Sequence, residues 1–206
     1  MTEPRIISDT KSRETIFLIW AVVATLFGLL SAGLALLFFL QARGARDGQA
    51  GWTRWDKSDG GNGHWYRAVL QPNGVTWAQA EPAARAAGGY LATITSAEEN
   101  AFVFGLVNTP AFFFSGNGFG PALGGFQSAG SPKPGGGWQW VSGEPWAYAN
   151  WLPGQPDGSS PGEDYLEFCS AVSGKPAPKW NDIPGDQLLT GYVIERDDDP
   201  KGRKQW

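Results

Sequence analysis

Cysteine and histidine are almost absent from this chain of 206 residues, which contains one of each, Cys169 and His64. A single cysteine excludes an internal disulfide and a cysteine-based zinc cluster within one chain. A histidine metal site or a catalytic triad would rest on His64 alone, and we expect that residue to be structural or solvent-facing. Because no acid–base or nucleophile–base pair stands out, the sequence does not predict an enzyme.

Strong net charge is also missing. The formal net charge is −4, and no basic block is long enough to favour binding to nucleic acid. Glycine and tryptophan are abundant instead, with 29 and 11 residues. Glycine at about twice its ordinary share of ~7% indicates a loop-rich fold with many tight turns. The tryptophans are expected to anchor those loops in a core.

Charge is wholly absent from residues 16–40, IFLIWAVVATLFGLLSAGLALLFFL. An uncharged apolar run of more than about 18 residues is typical of a transmembrane helix, and this run is long enough to cross a hydrocarbon layer of about 30 Å. A cleaved secretory signal is the alternative, but the apolar part of a signal is normally about 7–15 residues long. We therefore predict a retained signal-anchor and a single-pass membrane protein.

The predicted membrane helix carries a row of small residues at every fourth position, formed by Ala24, Gly28 and Ala32. Such a row lets two membrane helices approach closely, so it is compatible with a homodimer through this helix. The flanking charges do not give the orientation, because three basic residues lie on each side: Arg5, Lys11 and Arg13 before the helix, and Arg43, Arg46 and Arg54 after it.

The first part of the remaining chain predicts a strand and a helix. The segment HWYRAVL alternates as a half-buried strand does, and a QPNG turn follows it. Thr76 and Gln79 have the spacing of a capping box for a helix that should stop at residues 88–89, where two glycines follow each other. Pro82 lacks a backbone N–H, so it should kink this helix or delay its start to Glu81.

A second helix and two closing strands complete the predicted α+β pattern. YLATI is a short strand, and Ser96 with Glu99 makes a second capping box before the helix AEENAFVFGLV. Regular structure is expected to stop after Thr109, and residues 110–162 should form a long ordered loop region because they are dense in aromatics. DYLEF and GYVIER are the closing strands, on either side of the polar turn KWND.

Oxygen-bearing side chains are concentrated in the loop region and the closing strands, at Gln155, Asp157, Glu163, Asn181 and Asp182. Carboxylate and amide oxygens are the ligands that Ca²⁺ requires, at about six to eight per ion. Three neighbouring carboxylates repel one another, and a bound cation would relieve that repulsion. A cis peptide before Pro156 would turn the side chains of Gln155 and Asp157 to the same side.

The order of the segments GGYLATI, GEPWAYANW, QPDGSSPGED, KWND and GYVIE resembles a C-type lectin-like domain over about residues 63–196. The resemblance implies two helices, small antiparallel sheets and a long loop region. In that family a Glu-Pro-Asn or Gln-Pro-Asp tripeptide, a Glu six residues later and a Trp-Asn-Asp build the calcium and sugar site. The spacing from Asp157 to Glu163 matches. The resemblance implies that the five oxygen donors bind Ca²⁺ and the sugar hydroxyls of a carbohydrate or glycoconjugate, with Trp180 buried beneath them.

The chain departs from the family in its disulfides. By resemblance, Ala84 and Ile194 occupy the places of one cysteine pair, and Tyr165 and Gly185 occupy those of the other. The core must therefore rest on aromatic packing, and we expect Cys169 to be a lone buried thiol. Disulfide-free versions are typical of bacterial members, which this chain resembles.

Sugar choice and function leave alternatives open. In the family, Gln-Pro-Asp goes with galactose-type sugars, but the aromatic that usually follows it is replaced by GSSP at residues 158–161. Trp146, Tyr148 or Trp151 could substitute for that aromatic from the other side of the site. The alternative function is a lectin-like fold used for protein–protein contact, with or without structural calcium, since many members of the family bind no sugar.

The calcium concentration that the site would need also determines the predicted membrane topology. Exterior binding modules work at about 10⁻⁴–10⁻³ M Ca²⁺, which the cytosol lacks, so the C-terminal domain should be extracytoplasmic. The resulting organisation is a cytoplasmic leader at 1–15, a membrane helix at 16–40, a linker at 41–62, a lectin-like domain at 63–196 and a polar tail at 197–206.

Overall fold

The computed structural model describes residues 51–114, 118–170 and 175–200. Within them the chain forms two α-helices and eight strands, which confirms the predicted α+β class. The helices are α1 (Trp77–Ala86) and α2 (Ala97–Val107). The strands are β1 (Thr53–Arg54), β2 (Trp65–Val75), β3 (Tyr90–Leu91), β4 (Phe119–Gln127), β5 (Trp138–Trp140), β6 (Glu163–Ser170), β7 (Pro176–Pro184) and β8 (Leu189–Arg196).

The described strands form one mixed sheet, not the small antiparallel sheets that the resemblance implied. Its order is β1-β2-β8-β4-β6-β7, with β3 beside β8 and β5 beside β4. The β2–β8 pair is antiparallel and brings the beginning and the end of the domain together. The β4–β8 pair is parallel, whereas β4–β6 and β6–β7 are antiparallel. The segment KWND was predicted as a polar turn, but it lies inside strand β7. There Asn181 lies opposite Glu167 of β6, and Asp182 lies opposite Leu166.

Packed side chains occupy the two places at which the family usually has disulfides. Ala84 and Ile194 are 0% and 1% exposed and belong to the same apolar cluster. The ring of Tyr165 lies against Gly185, where an added Cβ would be 2.6 Å from the ring carbon Cε2. Cys169 is a buried free thiol, as predicted, and its Sγ donates to the carbonyl of Lys179.

Helix α1 begins with the predicted capping box, in which the Thr76 hydroxyl and the Gln79 side chain each accept a backbone N–H. The helix starts at Trp77, so a start delayed by Pro82 is wrong. The start is fixed because Trp77 is buried and its Nε1 donates to the Leu123 carbonyl at 2.7 Å. Pro82 lies inside the helix on its exposed side.

Helix α2 departs from its predicted capping box. Ser96 accepts the backbone N–H of Glu99 at 3.1 Å, but the Glu99 side chain does not return to Ser96. It accepts the N–H and hydroxyl of Thr95 and the hydroxyl of Tyr66 instead. Glu99 is 2% exposed, so it is satisfied by a buried network.

That network joins a second buried carboxylate, Glu195, to the half-buried His64. The hydroxyl of Tyr66 lies 2.5 Å from Glu99 and 3.0 Å from Glu195, and Nδ1 of His64 lies 2.7 Å from Glu195. Burial raises the pKa of Glu195 to about 7, although hydrogen bonds from His64 and the Thr93 N–H lower it. The hydrogen bond to Glu195 raises the pKa of His64 in turn. His64 therefore has a structural role, as predicted.

Strand β2 does not end at a QPNG turn, which corrects the sequence prediction. It continues through these residues to Val75, and the pairing with β8 shifts between Leu70, opposite Gly191, and Val75, opposite Leu189. Five steps along β2 therefore face two along β8, which is a bulge. Gly74 has φ +89° within it, a backbone conformation that favours glycine.

The region 110–162 was predicted to lack regular structure, and this is wrong for β4 and β5. Strand β4 lies in the middle of the sheet and is buried on both faces, so it lacks the alternation that marks a strand in the sequence. Its glycines are needed for close approach. A Cβ at Gly120 or Gly124 would lie 2.3 Å from the carbonyl oxygen of Phe168 or Leu91.

The end of the predicted linker packs against strand β2. Strand β1 pairs with β2, and Trp52 is 6% exposed, so the C-terminal part of the predicted linker at 41–62 belongs to the domain. Among the described residues, no helix has the length and apolar character needed to span a membrane. The predicted leader at 1–15, the membrane helix at 16–40 and the end of the tail at 201–206 lie outside the described residues.

Candidate functional site

The candidate site lies where the loop between β5 and β6 meets strand β7. Backbone hydrogen bonds fix this loop to β7: the Leu152 N–H donates to the Trp180 carbonyl, and the Trp180 N–H donates to the Asn150 carbonyl. The loop carries Gln155 and Asp157, and β7 carries Asn181 and Asp182 directly after Trp180. The predicted donors from distant parts of the chain therefore meet.

Three of the predicted ligands converge on one point. Asp157, Glu163 and Asp182 each place a carboxylate oxygen within 4.8 Å of the others. Asp182 is 1% exposed and accepts the backbone N–H groups of Asp157 and Gly158 at 3.2 and 3.0 Å. Burial raises the pKa of Asp182, and the charge of Glu163 adds to this effect. A cation at this point would stabilise the charged form of all three groups.

Gln155 supplies an amide carbonyl beside these carboxylates. The Gln155–Pro156 peptide is cis, as expected. The Gln155 Nε2 donates to Asp157 at 3.4 Å, whereas its Oε1 is buried without a hydrogen-bond partner. A buried carbonyl oxygen without a partner is costly in free energy, and a cation would satisfy it. The donor set thus fits an oxygen-liganded ion such as Ca²⁺.

Asn181 is held by a residue that sequence reasoning missed. Its Nδ2 donates to Oε1 of Glu167 at 3.1 Å, and Oε2 of Glu167 accepts the Gly120 N–H at 3.0 Å. Glu167 is 0% exposed, and burial raises its pKa well above the ordinary value. The only signal in the sequence was an acid inside the apolar strand DYLEF. A cavity of about 240 Å³ is lined by Glu167, Asn181 and Gln155, among others.

Trp180 forms the base of the site, as the resemblance implied. It is fully buried, and its Nε1 donates to the side-chain oxygen Oδ1 of Asn100 at 2.8 Å. Trp146, Tyr148 and Trp151 pack edge-on against its ring at centroid distances of 5.5–5.9 Å. These three aromatics are half-buried and belong to the packing around Trp180.

A lysine from another loop supports the site, and no sequence pattern predicted it. The Lys133 ammonium pairs with Asp164, next to Glu163, and donates to Oε1 of Gln127 at 2.9 Å. The Gln127 amide in turn donates to the Pro134 carbonyl at 2.7 Å. The loop between β4 and β5 is thereby held against the start of β6.

Comparisons with known proteins agree with this architecture. A family model described as Lectin C-type domain matches residues 73–193. A perlucin-like protein of Mytilus galloprovincialis is 32% identical over 125 residues, which cover 60% of this chain and 72% of the relative.

Two solved structures share the fold. The cow C-type carbohydrate-recognition domain of CD23, in the presence of GlcNAc2Man3 oligosaccharide, has a TM-score of 0.53 and 24% identity, covering 72% of this chain and 95% of that one. A calcium-independent type II antifreeze protein has a TM-score of 0.54 and 22% identity, covering 72% and 93%. At these identities the two structures establish the fold alone. Because the family model covers more than half of the sequence, the chain belongs to the C-type lectin domain family.

Proposed function

We propose that this chain is a calcium-dependent carbohydrate-binding protein. The observation that carries the proposal is the convergence of three carboxylates next to a buried carbonyl oxygen without a partner. The residues that would hold Ca²⁺ are Gln155, Asp157, Glu163, Asn181 and Asp182. Since Ca²⁺ takes about six to eight oxygens, these five side chains leave coordination positions for ligand hydroxyls.

Galactose-type sugars are the proposed ligand class. The support is the donor–acceptor order of Gln155 and Asp157, which resembles that of galactose-type family members. Residues 158–161 are exposed and include no aromatic on which a sugar face could stack. Tyr148 and Trp151 are engaged with Trp180. We therefore expect weak binding to single sugars, with glycoconjugates bound through several copies of the protein.

We further propose that residues 16–40 anchor the protein in the cytoplasmic membrane with the lectin domain outside, and that the small-residue row at Ala24, Gly28 and Ala32 pairs two copies. The support is the uncharged run itself and the calcium concentration that the site needs. Protease added to intact cells should digest the domain. Protection of residues 51–200 until the membrane is broken would contradict this topology.

The function is tested on the purified full-length chain by calcium titration in a calorimeter, followed by a glycan array with and without chelator. We expect one calcium event at submillimolar to millimolar concentration and glycan binding that chelator removes. Glycan binding that survives chelation would contradict the calcium dependence. If no calcium binds up to several millimolar and no glycan is retained, a lectin-like fold used for protein contact replaces this proposal.

A further inference from the structure

Glu167 is a buried acid in the middle of an apolar strand, between Leu166 and Phe168. A buried carboxylate is costly unless its oxygens are hydrogen-bonded and its charge is compensated. Both oxygens are used here, one by the Gly120 N–H and one by Nδ2 of Asn181. Within the described part of the chain, Glu167 makes no ion pair. Apolar packing does not explain an acid at this position.

The chemistry of the two groups fixes how the Asn181 amide is turned. A carboxylate only accepts hydrogen bonds, whereas an amide has one accepting and one donating end. Nδ2 of Asn181 donates to Oε1 of Glu167, so the ionised Glu167 faces the NH₂ end of Asn181 and the carbonyl oxygen Oδ1 is turned away from it. Asn181 precedes Asp182 on β7 and lines the same cavity as Gln155. The orientation of this amide decides whether an oxygen or a nitrogen is offered to a cation.

We propose that Glu167 is a positioning residue of the cation site, which holds the Asn181 amide with its carbonyl oxygen available as a ligand. The inference rests on the proposed calcium site and adds a residue that does not itself bind the ion. A hydrogen-bond partner that orients a metal ligand is worth roughly 10- to 100-fold in metal affinity.

The test is Glu167→Gln in the full-length chain, with calcium affinity measured by calorimetry and stability by thermal melting. Both partners of Glu167 are donors, and a glutamine has one accepting end, so its NH₂ end must face one of them. When it faces Asn181, the flipped amide is favoured. We expect the calcium Kd to rise roughly 10- to 100-fold. The melting temperature without calcium should be unchanged or higher, because a buried charge is removed.

A second variant, Asn181→Asp, distinguishes a lost orientation of the Asn181 amide from a general loss of structure. In Asn181→Asp the two side-chain oxygens are equivalent, so no amide orientation has to be set. Adding Glu167→Gln to that background should lower calcium affinity much less than it does beside Asn181, because only the attraction of a nearby negative charge is lost and no amide is flipped. Glu81→Gln, the same change on the surface of α1, is the matched control and should behave as wild type.

The outcomes are distinct. If wild type binds no calcium, the proposed function fails and the positioning role with it. If wild type binds calcium and Glu167→Gln binds it equally well, only the positioning role is overturned. The positioning role is also overturned if Glu167→Gln lowers calcium affinity equally with Asn181 present and in the Asn181→Asp background. The same holds if the loss of affinity is accompanied by a matching fall in melting temperature.

Discussion

Replacing Asp182 with asparagine should remove most of the calcium affinity and leave the fold intact. The Asp182 carboxylate is 1% exposed and is one of three whose oxygens lie within 4.8 Å of one another. Its two oxygens also accept the backbone N–H groups of Asp157 and Gly158. Asparagine keeps the size and one accepting oxygen but removes the charge, so the change isolates electrostatics from packing.

The size of the effect follows from Coulomb attraction. At a Ca²⁺–oxygen distance of about 2.4 Å and the dielectric constant of water, ~80, one carboxylate charge attracts the ion by about 3.5 kcal/mol. The asparagine carbonyl dipole restores part of this, whereas the low dielectric of a buried site increases it. A net loss of about 3 kcal/mol corresponds to a Kd raised roughly 100-fold.

Thermal melting with and without calcium gives the readout. With a Kd of about 10⁻⁴–10⁻³ M, ~10 mM calcium should stabilise the wild type by about 1.4–2.7 kcal/mol. For a domain of this size that corresponds to a Tm gain of about 3–10 °C. Asp182→Asn should gain at most about 1–2 °C. Its Tm without calcium should stay close to that of wild type. One hydrogen bond is lost, but the unfavourable burial of a charge, which raises the pKa of Asp182, is removed as well.

A charge control makes the result specific. Asp186→Asn removes the same charge from an exposed turn between β7 and β8 and should keep the full calcium-dependent gain. If Asp182→Asn gains as much as wild type and as Asp186→Asn, then the three carboxylates do not bind calcium together.

Three further expectations concern ligand choice, Lys133 and pH. Exchanging Gln155→Glu together with Asp157→Asn should shift preference from galactose-type to mannose-type sugars on a glycan array, and unchanged ratios would show that the tripeptide does not select the sugar. Lys133→Met should weaken calcium binding in calorimetry by less than the roughly 10- to 100-fold loss expected for a direct partner of a ligand, because Lys133 pairs with Asp164 next to the ligand Glu163. An unchanged Kd would contradict this role. The pKa values of Glu195 and His64 are higher in the folded chain than in the unfolded chain, so the folded state binds more protons between about pH 4.5 and 7. The Tm without calcium should therefore fall as pH rises through that interval, and a Tm that rises would refute the assignment.

The sequence revealed the candidate ligands because their signal is local. Gln155 and Asp157 belong to one tripeptide, and Asn181 and Asp182 follow a tryptophan that has to be buried. The α1 capping box was equally readable, since it needs only Thr76 and a partner three residues later. Each of these features depends on neighbours in the chain. Spacing was enough to find the capping box, whereas the ligand set was implied by the resemblance to C-type lectin-like domains.

Features that depend on strand pairing could not be found in this way. Glu167 matters because β6 places it opposite Asn181 and beside Gly120 of β4, which are far from it in the sequence. Residue patterning alone did not reveal strand β4, because glycines that permit close packing at positions 120 and 124 have the appearance of a loop. Lys133 is one charge in a Pro- and Gly-rich segment, and its partner Asp164 is identified only by the folded chain.

Packing and backbone hydrogen bonds hold the site together, and this determines what an ion can contribute. Trp180 and the backbone hydrogen bonds around it hold the loop on β7, and Asp182 holds the turn at Asp157 and Gly158. Little chain entropy therefore remains to be lost on binding. What remains unfavourable is the repulsion among three carboxylates and the unpartnered carbonyl of Gln155, and both are charge effects that a cation reverses. Calcium affinity should accordingly follow the charges of the site more closely than the stability of the core.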